Sequence, residues 1–198
     1  YYPYSQYQNL PELTDDTTLE KTMEYLEPDY NYIRNSVKMS IDAYNGTIQA
    51  YVTDSNDPII STYGKMFPGV FQDNSAMPSG LKAHIQYPDY LFAKQAEMYA
   101  IYHMQDPKTF YNLEDQWDIA KDTAKSDPNS TSNSEYLMRH LIMKLPGEKN
   151  EEFVFMLPFT PKGKANLINW MAVRNDGENY GKVQSYSLPK SSLIYGPE

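Results

Sequence analysis

VKMSIDAYNGTIQAYVTD, residues 37–54, reads as two strands folded back on Asn45-Gly46. Both central residues of a two-residue type I′ turn need φ > 0, which Gly takes freely and Asn tolerates. Such a turn sets a register in which Tyr44 faces Thr47, Ala43 faces Ile48, Ile41 faces Ala50 and Met39 faces Val52. Asp42 then pairs with Gln49 and Ser40 with Tyr51. One face is apolar on both strands and the other mostly polar, as a half-buried ribbon requires. A lone hairpin is marginal in water. The face carrying Val37, Met39, Ile41, Ile48 and Val52 therefore needs a cover, and the helix that begins after Tyr87 is the expected one.

Downstream, Asp57 is a good N-cap and Pro58 a good first helical residue. Ile59, Ile60, Tyr63 and Phe67 follow at helical spacing, predicting a helix over 58–67. A loop follows over 68–78, and Ser79 caps a turn through His84. Tyr87-Pro88 opens the longest helix, 88–104, whose Leu91, Gln95, Met98, Tyr99 and Tyr102 share one stripe. Asp106-Pro107 ends it and starts another helix over 107–117. Residues 121–134, KDTAKSDPNSTSNS, hold no large apolar group and read as a mobile surface loop. Two more hairpins are predicted: 136–159, turning through Pro146–Asn150, and 167–188, turning through Asn175–Gly181. Helix is the rival reading for LINWMAVRN, but the returning KVQSYSL alternates well and needs a neighbour, which favours strand. The fold class expected is α+β, antiparallel hairpins (37–54, 136–159, 167–188) packed with a few helices (58–67, 88–104, 107–117).

Upstream, residues 1–30 read as a peripheral arm and a short helix. The arm carries four Tyr in its first eleven residues, and the helix, LTDDTTLEKTMEYLE, stops before Pro28. This part has seven acidic residues against Lys21, and the chain carries a net charge of -9. Nucleic acid and anionic lipid are thus disfavoured partners. With 198 residues, 40% hydrophobic and 19 Tyr among them, and a mean hydropathy of -0.68, the chain is expected to form a single soluble domain or domain fragment, 1–198. No run approaches 18 apolar residues, so no direct membrane insertion of this stretch is expected. The chain contains no Cys, which excludes disulfides and thiolate chemistry. It opens on YYPYS without Met, as a piece of something longer would.

Candidate chemistry is sparse. His103 and Asp106 meet, by spacing, at the end of the long helix, where a carboxylate and the helix C-terminus both favour imidazolium; a structural contact is the plainer reading. Glu114, Asp115 and Asp118 cluster around Trp117. Two carboxylates and a ring suit a glycosidase, but that chemistry needs a defined separation across a sugar. A solvated face is the plainer reading. Asp54, Asn56 and Asp57 offer oxygens to Ca²⁺ without the Gly and distal Glu of an EF-hand loop, so turn and cap are preferred. His84 and His140 lack a second His at ligand spacing. Lys162 and Lys164 in PKGK read as a basic turn, and no cofactor motif is present.

Four runs, NYIRNSVKMSIDAYNGTIQAYVTDSNDPI, YHMQDPKTFYNLEDQW, MLPFTPKGKANLINWMA and YGKVQSYSLPKSSLIYGP, with YPYS at 2–5, resemble uncharacterised protein family 0182. The family consists of large bacterial multi-pass membrane proteins, and the resemblance covers most of residues 30–198. It implies transmembrane helices N-terminal to this piece, a large region outside the cytoplasm to which the piece belongs, and further sheet beyond both ends. It carries no catalytic residues, since no activity is established for the family.

The first functional expectation is a non-enzymatic extracytoplasmic domain of a multi-pass membrane protein, serving assembly with the remainder of the parent or binding a ligand or partner. Abundant Tyr, apolar in body and polar at the tip, suits wet contact surfaces. The alternative is a cell-envelope hydrolase using Glu114, Asp115 or His103, which needs at least two of them in one cleft. A third is a site completed by absent sequence. A homodimer through an exposed sheet edge is also expected as a way of pairing open strands.

Overall fold

The structure is a computed structural model that describes residues 32–120, 136–189 and 194–196. The expected arm, short helix and loop 121–134 fall outside these residues, apart from the entry to the first hairpin. The fold is α+β, as expected, with four α-helices and two sheets among the described residues. The chain divides into two compact units at Leu91/Phe92.

In the first unit, β1 (Val37–Ile41) and β2 (Ile48–Val52) pair antiparallel, and β3 (Phe71–Asp73) adds parallel to β2. The helix Pro58–Met66 lies between β2 and β3 in sequence. Hairpin and faces are as read, but the register differs by two residues: Met39 pairs with Ala50 and Ile41 with Ile48. The loop is four residues, closed by Asp42 N donating to Thr47 O at 2.9 Å and Gly46 N to Asp42 O at 2.8 Å. Side chains decide it. Asp42 Oδ1 accepts from Tyr44 N and Asn45 Oδ1 from Thr47 N, both at 2.8 Å, so only Gly46 (φ 73) takes the left-handed region. An even shift keeps every side chain on its face.

That face, expected to be covered, is largely open to solvent. Met39, Ile41 and Ile48 are 63%, 66% and 57% exposed, and only the strand base is closed, by Ala50 and Tyr51. Likewise Ile60 alone is buried on the helix Pro58–Met66, while Ile59, Tyr63 and Met66 stay open. The base is tied by Asp57, a buried N-cap whose Oδ1 accepts from Ile59 N (2.9 Å) and Tyr32 Oη (3.0 Å), and whose Oδ2 accepts from Ser36 Oγ at 2.5 Å.

The second unit begins within the helix Asp89–Tyr102, which is followed by the helix Pro107–Asn112. The latter is shorter than the predicted 107–117, because Leu113 turns left-handed (φ 53) and caps it. Trp117 then begins a strand, β4 (Trp117–Ile119). The sheet is centred on β6 (Glu152–Pro161), which pairs with β5 (Arg139–Met143) and β4 on one edge and β7 (Asn169–Arg174) on the other; β8 (Val183–Ser187) pairs β7. LINWMAVRN is thus mostly strand. Phe155, Leu157 and Phe159 fill one face of β6 and Val154 the other, all fully buried. Buried Asn169 receives Ser185 Oγ and donates to Ser187 Oγ, each at 3.0 Å, which pins β7 to β8.

Arg174, buried at the end of β7, donates from Nε to Glu152 Oε2 at 2.6 Å, from Nη2 to Glu152 Oε1, and from Nη1 to Glu148 Oε1 at 2.6 Å. The Arg174 hydrogen bond holds the Glu152 carboxyl below its ordinary range. A carboxylate with a lowered folded-state pKa adds stability that is complete above the ordinary carboxylate value and lost as pH falls through the lower folded one. Acid titration of unfolding should therefore show a decline that Glu152→Gln flattens. Arg174→Met should cost about 3–5 kcal/mol in denaturant melts, because Glu152 is left charged and buried.

Candidate functional site

Two features of the described residues stand out: the open apolar hairpin face of the first unit and a cleft beside Trp117 in the second. The left-handed Leu113 bends the chain sharply after the helix Pro107–Asn112, and Glu114 N returns to Thr109 O at 3.1 Å. This bend brings Asp115 toward the end of the helix Asp89–Tyr102. There the His103 ring stacks on the Trp117 indole, centroids 3.5 Å apart and planes at 20°. Tyr99 meets the indole edge-on at 6.0 Å, and Phe159 packs at 5.6 Å.

His103 is 8% exposed at its side chain. Its Nδ1 lies 3.1 Å from Tyr99 O, a carbonyl that can only accept, so Nδ1 carries the hydrogen and neutral imidazole has its lone pair on Nε2. Nε2 has no hydrogen-bond partner among the described residues, and its nearest carboxylate oxygen is Asp115 Oδ2 at 4.0 Å. The expected partner Asp106 is engaged elsewhere: its Oδ1 caps the next helix, accepting from Thr109 N (2.8 Å) and Oγ1 (3.0 Å). The predicted residues His103 and Asp115 are thus brought together, whereas Glu114 turns to Asn112 Nδ2 at 2.8 Å.

The cleft holds about 720 Å³ and is walled by Glu97, Gln116, Trp117, Asp118, Thr160 and Lys164, with Tyr136 beside Glu97. Neither His103, Asp115 nor Glu114 lines it. Glu97 accepts from Tyr136 Oη at 2.7 Å and pairs with Lys94 at 3.0 Å. Burial, then the bond to Glu97, raises the Tyr136 hydroxyl's pKa, so it stays a donor. Asp118 Oδ2 accepts from Gly163 N at 3.3 Å, in the PKGK turn. Asp118 was foreseen only as part of an acidic cluster. Glu97, Tyr136 and Thr160 were not singled out, because segments far apart in sequence meet here.

Of the candidate Ca²⁺ ligands, Asp54 and Asp57 are engaged by protein donors, and Asn56 is exposed. Asp54 Oδ1 accepts from Asn56 N at 3.0 Å and Oδ2 pairs with Arg34, while Asp57 caps its helix. No cluster of three metal-ligating His, Cys, Asp or Glu occurs among the described residues.

The model of the Uncharacterised protein family (UPF0182) matches residues 1–198. The chain belongs to this family. It is 45% identical to a UPF0182 protein of Pelotomaculum thermopropionicum over 98% of the chain and 22% of that protein. It is 49% identical to one of Alkaliphilus metalliredigens over 94% and 20%, and 51% identical to one of Trichodesmium erythraeum over 84% and 18%. The chain spans about a fifth of the length of these curated UPF0182 relatives. No solved structure matches. Among the described residues no helix is long and apolar enough to cross a membrane.

The stack should be readable in solution. In a Trp170→Phe background, His103→Ala should change the emission of Trp117, because the indole loses the ring stacked on its face at 3.5 Å.

Proposed function

We propose that this UPF0182 segment is a non-enzymatic assembly module, held on the extracytoplasmic side of a multi-pass membrane protein. In this reading, the hairpin β1–β2 docks onto the remainder of the same polypeptide. One observation carries it: Met39, Ile41 and Ile48 leave the apolar end of a two-stranded ribbon open to water. Exposed apolar surface of this kind marks a contact face. The occupant is the rest of the chain, because the segment spans about a fifth of its relatives' length and a covalently linked partner has a high effective concentration. The compartment rests on the resemblance of the quoted sequence runs to membrane proteins with a large external region.

A hydrolase reading has one observation in its favour, the approach of His103 Nε2 to Asp115 at 4.0 Å. Against it, neither residue faces the cleft where a substrate would sit. The assembly reading is therefore preferred.

Cysteine accessibility tests both parts, since the segment has no Cys of its own. In a Cys-free full-length protein, Ile41→Cys should resist maleimide, whereas Tyr111→Cys, at an 87% exposed position, should react. Equal labelling of the two overturns the docking face. Tyr111→Cys should also react with a membrane-impermeant maleimide on intact cells; labelling only after permeabilisation overturns the compartment. A dimer cross-linked through Ile41→Cys would make a second copy the occupant and overturn docking onto the same polypeptide.

A further inference from the structure

We propose that the cleft beside Trp117 binds a neutral carbohydrate. The proposal rests on the shape and chemistry of the second unit and is independent of the docking face on the first. At about 720 Å³ the cleft falls within the roughly 300–1,000 Å³ of small-molecule sites and has room for a short oligosaccharide.

Its wall combines two kinds of group that a sugar ring needs together. Trp117 contributes an indole to the lining, held in place by His103 stacked on one face and by Tyr99 at its edge. A pyranose offers one face of C–H bonds to such a ring and a rim of hydroxyls to its surroundings. Each hydroxyl both donates and accepts, and the cleft provides both roles: Asp118 and Glu97 accept, Lys164 donates, and Thr160 and Gln116 do either. An apolar ligand would strand these groups without partners, at a cost for each.

Charge selects against the other polar classes. Glu97 is already paired with Lys94 and hydrogen-bonded by Tyr136. Asp118 and Lys164 add opposite charges to the same lining, so neither a polyanion nor a polycation finds a complementary field. A ligand rich in hydroxyls and without net charge fits both halves of the lining.

The test is calorimetry on the full-length protein in a zwitterionic detergent, which avoids sugar headgroups. The neutral probes are cellotetraose, chitotetraose and maltotetraose; a heparin tetrasaccharide and spermidine are the charged ones. Saturable binding of at least one neutral probe is expected, with Trp117→Ala and Asp118→Asn each weakening it about tenfold, the loss of one good stacking or hydrogen-bonding contact. Because Trp117→Ala also removes packing from His103, Lys164→Ala and Thr160→Val serve as wall variants that leave the aromatic stack intact. Weaker binding in either supports the site. Binding of no neutral probe, tighter binding of either charged probe, or unchanged binding in Asp118→Asn, Lys164→Ala and Thr160→Val together overturns the proposal.

Discussion

A guanidinium removed from water must find partners for its fork of donors inside the protein. Arg174 finds them on segments distant in sequence. Glu152 at the start of β6 takes two donors and Glu148, in the turn between β5 and β6, takes a third. Asn179, in the turn between β7 and β8, donates to Glu152 at 3.1 Å and accepts from Lys182 at 2.9 Å. One buried cation thus joins both turns at the same end of the sheet. Phe153 N donating to Asp176 Oδ2 at 2.8 Å and Asn175 N donating to Phe153 O at 3.0 Å reinforce the junction. Removing either partner would leave the other charged and buried, so the junction ties the strands that carry it to one alignment.

From that junction β6 runs ten residues with neighbours on both sides. Its far end positions β4 through Ile119 opposite Phe159 and Trp117 opposite Pro161. The indole and the cleft wall therefore inherit their placement from the central strand, a rigid element, as a binding site requires. The first unit is organised differently. Its ties are polar and gather at the base around Asp57, while its apolar hairpin end and one side of the helix Pro58–Met66 stay open.

The three hairpins are legible because apolar runs flank turn-forming residues in each, with clear alternation in the first hairpin and in KVQSYSL. What escaped was set by side chains acting over short or very long range. The register of β1–β2 depends on Asp42 and Asn45 capturing backbone donors of the loop, a competition that alternation alone does not reveal. The three-residue strands β3 and β4 are too short to show a period, and β4 owes its existence to a partner some forty residues away. The helix starting at Pro107 ends at Asn112 rather than 117 because Leu113 adopts φ 53, which nothing about a leucine signals. His103 and Asp115 were singled out, but His103 was paired with Asp106, whose position before Pro107 marks it equally as an N-cap. The cleft joins residues 97–101, 116–120 and 160–165, and no local pattern encodes that meeting.

Asn45-Gly46 carries a chemical vulnerability of its own. An asparagine followed by glycine is prone to cyclise, as the next amide nitrogen attacks the side-chain carbonyl and ammonia departs, and the resulting imide opens to aspartate or isoaspartate. In this loop Gly46 N is held to Asp42 O, while the Asn45 side-chain oxygen is held to Thr47 N. The two reacting groups are thus anchored to separate parts of the turn, so the folded loop slows its own ageing, and protein that has lost this turn will accumulate the damage first.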